Sequence, residues 1–155
     1  MSAVLVRRAN AEDLERLVEF NRAMALETED KSLDPAVLGP GIARVLAEPA
    51  RGFYLAAEWD GVVAGCLMVT FEWSDWRNGD WWWLQSVYIA PAFRRRGVFR
   101  ALHARVESAA RATPGVVGLR LYVERENRRA QETYASLGMH AAEYSMWETE
   151  FPRPA

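Results

Sequence analysis

The sequence has very little cysteine: Cys66 is the only one in 155 residues, so the chain cannot form an internal disulfide bond. Proteins of the reducing cytoplasm rarely carry disulfides, and we therefore expect a cytoplasmic protein. Cys66 itself lies in the apolar stretch VVAGCLMVTF. A thiol in such a stretch is typical of a small buried side chain, so it is not expected to act as a nucleophile.

The sequence also lacks long apolar runs, clustered histidines and an excess of basic residues. No run approaches the roughly eighteen apolar residues of a membrane span, and no signal-peptide pattern opens the chain, so no membrane partner is expected. His103 and His140 are isolated and have no metal-ligand spacing around them, so we expect no metal site. A formal net charge of −2 argues against nucleic acid as a partner.

The residues that are present are typical of an ordinary folded protein. Of the chain, 50% is apolar and 26% is charged, a composition that excludes a disordered chain. A length of 155 residues is that of one domain with a substantial core, and the sequence contains no repeat and no low-complexity linker. We therefore predict a single domain over residues 1–155.

Turn signals and apolar periodicity predict secondary-structure elements in the order βααβββαβαβ. Strands are predicted at 3–9, twice within 52–73 around an Asp60-Gly61 turn, at 81–89, at 117–123 and at 140–151. Helices are predicted at 11–27 after an Asn10 cap, from Pro35 with a break at 39–41, at 98–112 and at 127–138. This order is typical of an α/β or α+β fold in which helices flank a mixed central sheet.

The segment FRRRGVFRAL, residues 93–102, joins a predicted strand to a predicted helix. Its consecutive Arg94, Arg95 and Arg96 repel one another unless they are solvated or face an anion. The first turn of a helix offers unpaired N–H groups and a partial positive charge, so a diphosphate could bind where the strand passes into the helix. The segment has neither a Gly-Lys-Ser/Thr sequence nor several spaced glycines, which excludes a Walker loop and a dinucleotide fingerprint. A solvated basic turn is the alternative interpretation.

Two motifs resemble the GNAT (Gcn5-related) N-acetyltransferase superfamily. The family's phosphate loop reads [Arg/Gln]-x-x-Gly-x-[Gly/Ala], and here Arg94 and Gly97 match while Phe99 replaces the usual small residue. The segment ENRRAQETYASLGM is similar to the family's Asn-x-x-Ala-x-x-x-Tyr-x-x-x-Gly-[Phe/Met]. Its matching residues are Asn127, Ala130, Tyr134, Gly138 and Met139. Because both motifs occur together in the family's order of elements, the resemblance extends over the whole chain.

The resemblance implies that acetyl-CoA is the acyl donor. The loop amides would hold its diphosphate, the strand before the loop would pair with its pantetheine arm like an added strand, and Tyr134 would face its sulfur. The residues that the resemblance assigns to the cofactor are Val87, Ile89, Arg94, Arg95, Arg96, Gly97, Val98, Phe99, Arg100, Asn127, Ala130 and Tyr134.

Acetyl transfer to an amine needs a neutral nucleophile, although an alkylamine with a pKa of about 10.4 is protonated at pH 7. A carboxylate could take that proton, and Glu72, which lies in the apolar sequence FEW, is the candidate base. Tyr134 is the candidate acid for the leaving thiolate. The residues expected at the acceptor are Glu27, Glu29, Trp73 and Asp75, and these carboxylates together with Asp30 are the alternative bases.

The stretch TFEWSDWRNGDWWWLQSVYI is similar to the polyamine and thialysine acetyltransferase branch of the family. That branch often carries Leu-Glu-Asp where this chain has Leu84-Gln85-Ser86, so no carboxylate stands there. The stretch is also rich in tryptophan, with Trp73, Trp76, Trp81, Trp82 and Trp83. Because strand residues alternate between faces, Trp82 is expected on the face opposite Trp81 and Trp83. One face would belong to the core, and the other would form a substrate wall or a homodimer contact.

We therefore predict an acetyl-CoA-dependent N-acetyltransferase that transfers the acetyl group directly to a primary amine of a small molecule and forms a homodimer. The alternatives are an acyltransferase with another acyl-CoA or a hydroxyl acceptor, a non-catalytic CoA-binding sensor or assembly subunit, and a structural dimer held by its tryptophans. The segment from Asn127 to Tyr134 favours catalysis.

Overall fold

The computed structural model describes residues 4–154, which contain five strands and four α-helices. The strands are β1 (Val4–Arg8), β2 (Gly52–Trp59), β3 (Val62–Ser74), β4 (Gly79–Ile89) and β5 (Val116–Arg120). The helices are α1 (Leu14–Glu29), α2 (Pro35–Ala47), α3 (Val98–Ala112) and α4 (Arg128–Ser136). The chain divides into two compact units at the boundary between Leu121 and Tyr122, so all five strands lie in the first unit and α4 lies in the second.

The strands form one sheet in the order β1-β2-β3-β4-β5. Neighbouring strands from β1 to β4 run antiparallel; short turns connect β2, β3 and β4, whereas α1 and α2 lie between β1 and β2. The pair β4–β5 is parallel, and α3 supplies the long crossover that a parallel pair requires. The predicted mixed sheet flanked by helices is therefore confirmed.

Two local structures that the sequence predicts, a helix cap and a tight turn, are present. Asn10 caps the first helical turn, because its side-chain oxygen accepts a hydrogen bond from the amide of Glu12 at 2.9 Å. Asp60 and Gly61 form the two-residue turn between β2 and β3, with φ angles of 50° and 80°. Positive φ at both central residues is the geometry that favours Asp-Gly in a tight hairpin.

The core consists of two apolar clusters, one on each face of the sheet. The first contains Trp82, Leu84 and Phe53 of the sheet and Leu102 and Val106 of α3. The second contains the α1 and α2 side chains and the residues that β2, β3 and β4 direct to them, namely Leu17, Phe20, Ile42, Tyr54, Cys66 and Tyr88. Trp82 therefore belongs to the core, on the face opposite Trp81 and Trp83, as the alternation of strand residues predicted.

The predicted break in the second helix is wrong. Helix α2 runs without interruption from Pro35 to Ala47 and contains Pro40 in its interior. A proline in a helix removes one hydrogen bond, a loss that tertiary contacts can offset. Here Ile42 is buried and Leu38, Val45 and Leu46 pack around the same cluster, so the apolar face of the helix stays continuous across the proline.

The predicted strand at 140–151 is also wrong, and the strand predicted at 117–123 ends at Arg120. In the described residues after Arg120, the structure contains α4 and no strand. An alternating pattern forms a strand only where a neighbouring strand accepts its backbone hydrogen bonds. The side chains of Tyr144, Trp147 and Phe151 are exposed instead.

None of the helices within residues 4–154 has the length and apolar character required to span a bilayer.

Candidate active site

The parallel strands β4 and β5 lie at the centre of the candidate site, and they pair along only part of β4. Pairing between β4 and β5 extends from Asp80 opposite Val116 to Trp83 opposite Arg120, whereas β4 continues to Ile89. Within residues 4–121, the last part of β4 therefore pairs with β3 alone. Its opposite edge presents backbone N–H and C=O groups, which is the arrangement that binds an extended ligand in the manner of an added strand.

The backbone of Ile89 is directed to this edge. The amide of Ala90 donates to the carbonyl of Ala64 on β3 at 2.8 Å, and backbone groups of successive strand residues point in opposite directions. The amide and carbonyl of Ile89 consequently point away from β3. Ile89 was predicted to contact the pantetheine arm, and its orientation is the one that such a contact requires.

A β-bulge lies at Ser86, immediately before this edge. Ser86 has a φ of 50°, and the register between β3 and β4 shifts between Cys66 and Met68. The carbonyl of Ser86 accepts a hydrogen bond from the Cys66 thiol, with 3.5 Å between Sγ and the oxygen. A bulge bends its strand and increases its twist. This bulge follows Trp83, the last residue of β4 that pairs with β5.

The loop between β4 and α3 contains two residues in the left-handed region. Arg95 has a φ of 63° and Gly97 has a φ of 81°, and Gly97 is the N-cap of α3 without a side-chain hydrogen bond. The amides of the first helical turn therefore follow directly on a glycine that carries no side chain in front of them. Phe99, which departs from the family motif, has its ring 6.1 Å from the ring of His103, further along α3.

The consecutive arginines of this loop do not share one anion. Arg94 donates from Nε to the carbonyl of Ile89 at 2.8 Å and from Nη2 to Oε2 of Glu27 at 2.8 Å. The guanidinium of Arg96 lies over the ring of Trp59, 5.5 Å from its centroid. Their mutual repulsion is thus reduced by different partners, while Arg95 is exposed at the tip of the loop.

Glu27, at the end of α1, is joined to the loop through a three-residue cluster that we call the Glu27 cluster: Glu27, Tyr88 and Arg94. The hydroxyl of Tyr88 donates to Oε1 of Glu27 at 2.9 Å, while Arg94 occupies Oε2. The hydrogen bond from Arg94 lowers the pKa of Glu27, and burial followed by the Glu27 contact raises the pKa of Tyr88. Glu27 was predicted at the acceptor and Arg94 at the cofactor, and the structure brings the two together.

Glu72, the predicted base, lies in a second cluster on β3. Its Oε1 accepts from Nε1 of Trp83 at 3.1 Å, and its Oε2 accepts from Nη1 of Arg120 at 2.7 Å. The guanidinium of Arg120 stacks on the ring of Trp81 at 3.9 Å. Both carboxylate oxygens are thus engaged, and Glu72 could take a proton from an amine only after one of these contacts opens.

The other residues predicted at the acceptor are dispersed. Glu29 lies 3.6 Å from Lys31, and Asp75 accepts a hydrogen bond from the backbone amide of Trp76 in the β3–β4 turn. Trp73 is adjacent to Glu72 along β3 and therefore points to the opposite face of the sheet. The structure does not bring Trp73 and Glu72 to one surface.

The second unit contains the other predicted motif. Asn127 is the N-cap of α4, and its side-chain oxygen accepts from the amide of Ala130 at 3.1 Å. Tyr134 lies in the same helix, and burial raises the pKa of its hydroxyl. The hydroxyl therefore keeps its proton at neutral pH, which is the state that a general acid needs.

Cys66 and the metal-binding residue types were the other candidates for a site. Cys66 is buried, and burial raises the pKa of its thiol to about 12, so the thiolate required of a nucleophile does not form at neutral pH. Within residues 4–154, no group of His, Cys, Asp and Glu side chains has an arrangement that could hold a metal ion.

Sequence reasoning missed two members of these clusters, Tyr88 and Arg120. Tyr88 follows a bulge that a single sequence does not reveal, although its position at the end of a predicted strand next to a basic loop was a usable signal. Arg120 lies in a short apolar strand, where a charged residue indicates a partner within the sheet. That partner is Glu72, which lies 48 residues earlier in the chain.

The comparisons with known proteins show the family to which the chain is similar. The sequence profile of the acetyltransferase (GNAT) family matches residues 12–139. A crystal structure of a possible acetyltransferase from Clostridium difficile 630 is 39% identical, with a TM-score of 0.90 over 97% of this chain and 99% of that one. The comparison with curated proteins found no match.

Two more distant structures share the fold. An aminoglycoside N-acetyltransferase, AAC(6')-Iy, in complex with CoA is 21% identical, with a TM-score of 0.73 over 97% of this chain and 96% of that one. A ribosomal-protein-alanine N-acetyltransferase from Brucella melitensis biovar Abortus 2308 is 17% identical, with a TM-score of 0.77 over 97% of this chain and 100% of that one.

The chain belongs to the GNAT acetyltransferase family. It is an N-acetyltransferase, and the acyl donor used by this family is acetyl-CoA. The resemblance read from the sequence is thereby confirmed at the level of family, fold and reaction.

Proposed function

We propose that the protein transfers the acetyl group of acetyl-CoA directly to the primary amine of a small cationic molecule in the cytoplasm. The observation that carries this proposal is the edge of β4 from the Ser86 bulge to Ile89, which β5 leaves unpaired and which leads into the Gly97 loop. An extended pantetheine arm fits an unpaired strand edge, and a diphosphate fits the following helix N-terminus.

For the donor, we propose the contacts that the family motif assigns. The backbone of Val87 and Ile89 pairs with the pantetheine amides, and the amides of Arg95, Gly97, Phe99 and Arg100 hold the diphosphate. The left-handed φ of Gly97 supports this proposal, because glycine adopts that conformation without strain and allows a close approach of phosphate to the backbone. Asn127 contributes from the start of α4.

For the reaction, we propose a direct transfer without an acyl-enzyme. A carboxylate takes a proton from the acceptor ammonium, and the neutral amine attacks the thioester carbonyl carbon to form the C–N bond. The C–S bond then breaks, the second amine proton is lost to water, and Tyr134 donates its proton to the thiolate of CoA. The protonated Cys66 thiol supports the direct route, because it leaves no evident covalent carrier among the described residues.

Of the carboxylates, Glu27 is better placed than Glu72 for the acceptor ammonium. Both carboxylates are paired with an arginine, but the Arg120 side chain that holds Glu72 is only 27% exposed, whereas the Arg94 side chain that holds Glu27 is 43% exposed and easier to displace. The partly exposed ring of Trp83 supplies aromatic surface on the same face of the sheet, which suits a cationic amine. The absence of a carboxylate at Gln85 and Ser86 separates this chain from the polyamine branch.

The proposal is tested with acetyl-CoA and a panel of amines that includes polyamines, amino acids, aminoglycosides and peptide N-termini. Acetyl-CoA at about a hundred times its dissociation constant should raise the free energy of unfolding by roughly 2.7 kcal/mol, seen as a higher Tm. Thiol release in the presence of one amine class identifies the acceptor. A Tm that millimolar acetyl-CoA leaves unchanged contradicts the donor site.

A further inference from the structure

We propose that Arg94 is a positioning residue that passes from Glu27 to the CoA diphosphate, so that the Glu27 carboxylate becomes available to the acceptor ammonium only when the donor is bound. This inference rests on the proposed function, because it requires that CoA binds along β4 and the loop. It assigns Glu27 to the ammonium group and Arg94 to the control of its availability.

The geometry of the Glu27 cluster carries this inference. The guanidinium of Arg94 lies between the Ile89 carbonyl and Glu27, at 2.8 Å from an oxygen of each. The Ile89 carbonyl points to the unpaired edge of β4, where it is the acceptor that a pantetheine amide needs. One side chain therefore covers an acceptor atom of the proposed donor site and an oxygen of the proposed acceptor site.

The ion pair between Arg94 and Glu27 is weak enough for a ligand to displace Arg94. The side chains of Arg94 and Glu27 are 43% and 41% exposed, and ion pairs between exposed side chains contribute little net stability. A diphosphate carries more negative charge than one carboxylate and accepts paired hydrogen bonds from a guanidinium. Arg94 stands at the beginning of the loop proposed to bind that diphosphate, so the exchange that we propose is a change of its side-chain rotamer.

The release of Arg94 changes the environment of Glu27 but not its position. Tyr88 continues to donate to Oε1, and the ring of Tyr88 is fixed against Phe20 with a centroid distance of 5.3 Å. Oε2 then loses its cation and can accept from the ammonium of the substrate. A proton taken from that ammonium is more favourably held once the guanidinium has left, because a nearby positive charge opposes protonation of a carboxylate.

Several other charged side chains of α1 and the loop have partners of their own. On α1, Glu29 and Lys31 lie 3.6 Å from each other, and the Arg16 guanidinium contacts Glu19 and the Val63 carbonyl. In the loop, Arg96 lies over Trp59. Within residues 4–154, the groups that hydrogen-bond to the Glu27 carboxylate are Arg94 from the loop and Tyr88 from β4.

The test is an NMR titration of the Glu27 carboxyl carbon in the full chain, with no ligand, with saturating CoA and with saturating pantetheine, which lacks the diphosphate. CoA should raise the pKa of Glu27, and pantetheine should leave it unchanged. Arg94→Gln should raise the pKa without ligand, and CoA should then add no further increase. Arg111→Gln, the matched control, removes an arginine that is paired with Glu107 at the far end of α3, and it should preserve the response of Glu27 to CoA.

Different results overturn the inference and the proposed function. If CoA raises the Tm of the protein but leaves the pKa of Glu27 unchanged, the donor site stands and the exchange of Arg94 is wrong. If CoA raises the pKa of Glu27 equally in Arg94→Gln, its own charge acts on Glu27 and Arg94 is not the intermediary. If CoA changes neither the Tm nor the NMR spectrum, the donor site itself is refuted.

Discussion

His103 is buried on α3 without a hydrogen bond to Nε2 from any described residue, and this makes it a source of pH dependence. Burial lowers its pKa below the ordinary value of about 6.5, while Glu107, 4.0 Å from Nδ1, opposes that effect. The unfolded chain then binds a proton at a higher pH than the folded chain. We expect the free energy of unfolding to fall as the pH decreases below about 6.5.

The variant His103→Leu should lose this part of the pH dependence, because it removes the titrating group from the core. The measurement is denaturant unfolding of both proteins between pH 7.5 and 5 at constant ionic strength. His140→Gln is the control, since His140 is exposed, and it should retain the slope of the parent. An unchanged slope in His103→Leu would assign the pH dependence to other groups.

Removal of one atom, the hydroxyl oxygen of Tyr134, tests the proposed role of this residue as the general acid. Tyr134→Phe removes the hydroxyl and keeps the ring, so the fold should be retained. General acid catalysis contributes about 10²–10⁴-fold, and we expect kcat to decrease by a factor in that range. The affinity for acetyl-CoA should change little, because the proton is needed only when charge develops on the sulfur.

A pre-steady-state burst measurement shows whether chemistry limits the rate of the parent. Under that condition, near-full turnover by Tyr134→Phe would mean that water protonates the thiolate. Cys66→Ala is the companion variant, and it should remain active. A stable labelled acetyl-protein that disappears in Cys66→Ala would contradict direct transfer.

The turn from β4 into α3 is the element on which donor binding depends. Gly97 has a φ of 81°, and a Cβ at this position meets no atom within 4 Å. Gly97→Val should therefore be destabilised by backbone strain alone, by about 1–2 kcal/mol. The valine side chain would also stand in front of the first amides of α3, so we expect a clear loss of affinity for CoA.

Gly61 provides the matched control for strain. It has a φ of 80° in the β2–β3 turn, and a Cβ there also meets no atom within 4 Å. Gly61→Val should lose a similar amount of stability and keep its affinity for CoA, measured by calorimetry below the Tm of both variants. Equal affinities in Gly97→Val and the parent would remove this loop from the donor site.

On the scale of the whole molecule, the β3–β4 hairpin is notable for large aromatic side chains that are exposed to solvent. Trp73 and Trp76 are 61% and 88% exposed, and Phe71 is partly exposed beside them. Large exposed aromatic patches mark interaction sites. We predict that the protein is a homodimer in which this hairpin contributes to the contact, with a sedimentation mass twice that of one chain.

Trp76→Lys should shift the protein toward the monomer at micromolar concentration, because it places a charge in the contact. Trp147, which is as exposed as Trp76 but lies in the second unit, supplies the control variant Trp147→Lys. A monomer at high micromolar concentration in the parent would refute the dimer. Dissociation by Trp147→Lys alone would move the contact to the C-terminal segment.

The features that the sequence by itself determined are carried by residues close together in the chain. The Asn10 cap, the Asp60-Gly61 turn and the opposite orientation of Trp82 and its neighbours follow from backbone preferences and from the period of a strand. The family motifs at Arg94–Gly97 and Asn127–Met139 are likewise local, and they identified the family, the reaction and the fold class. A single sequence was sufficient for these conclusions because each signal lies within about one helix or turn.

Only the tertiary structure decided which of these elements meet. Arg94 pairs with Glu27 across 67 positions of the chain, and Arg120 pairs with Glu72 across 48, so no local pattern could place them together. Packing against α1 and the sheet kept α2 continuous through Pro40, and the alternation of residues 140–151 was not enough to form a strand. The physical reason is the same in each case: an ion pair, a strand or a strained helix is stabilised by partners that are distant in sequence and are brought near only by the fold.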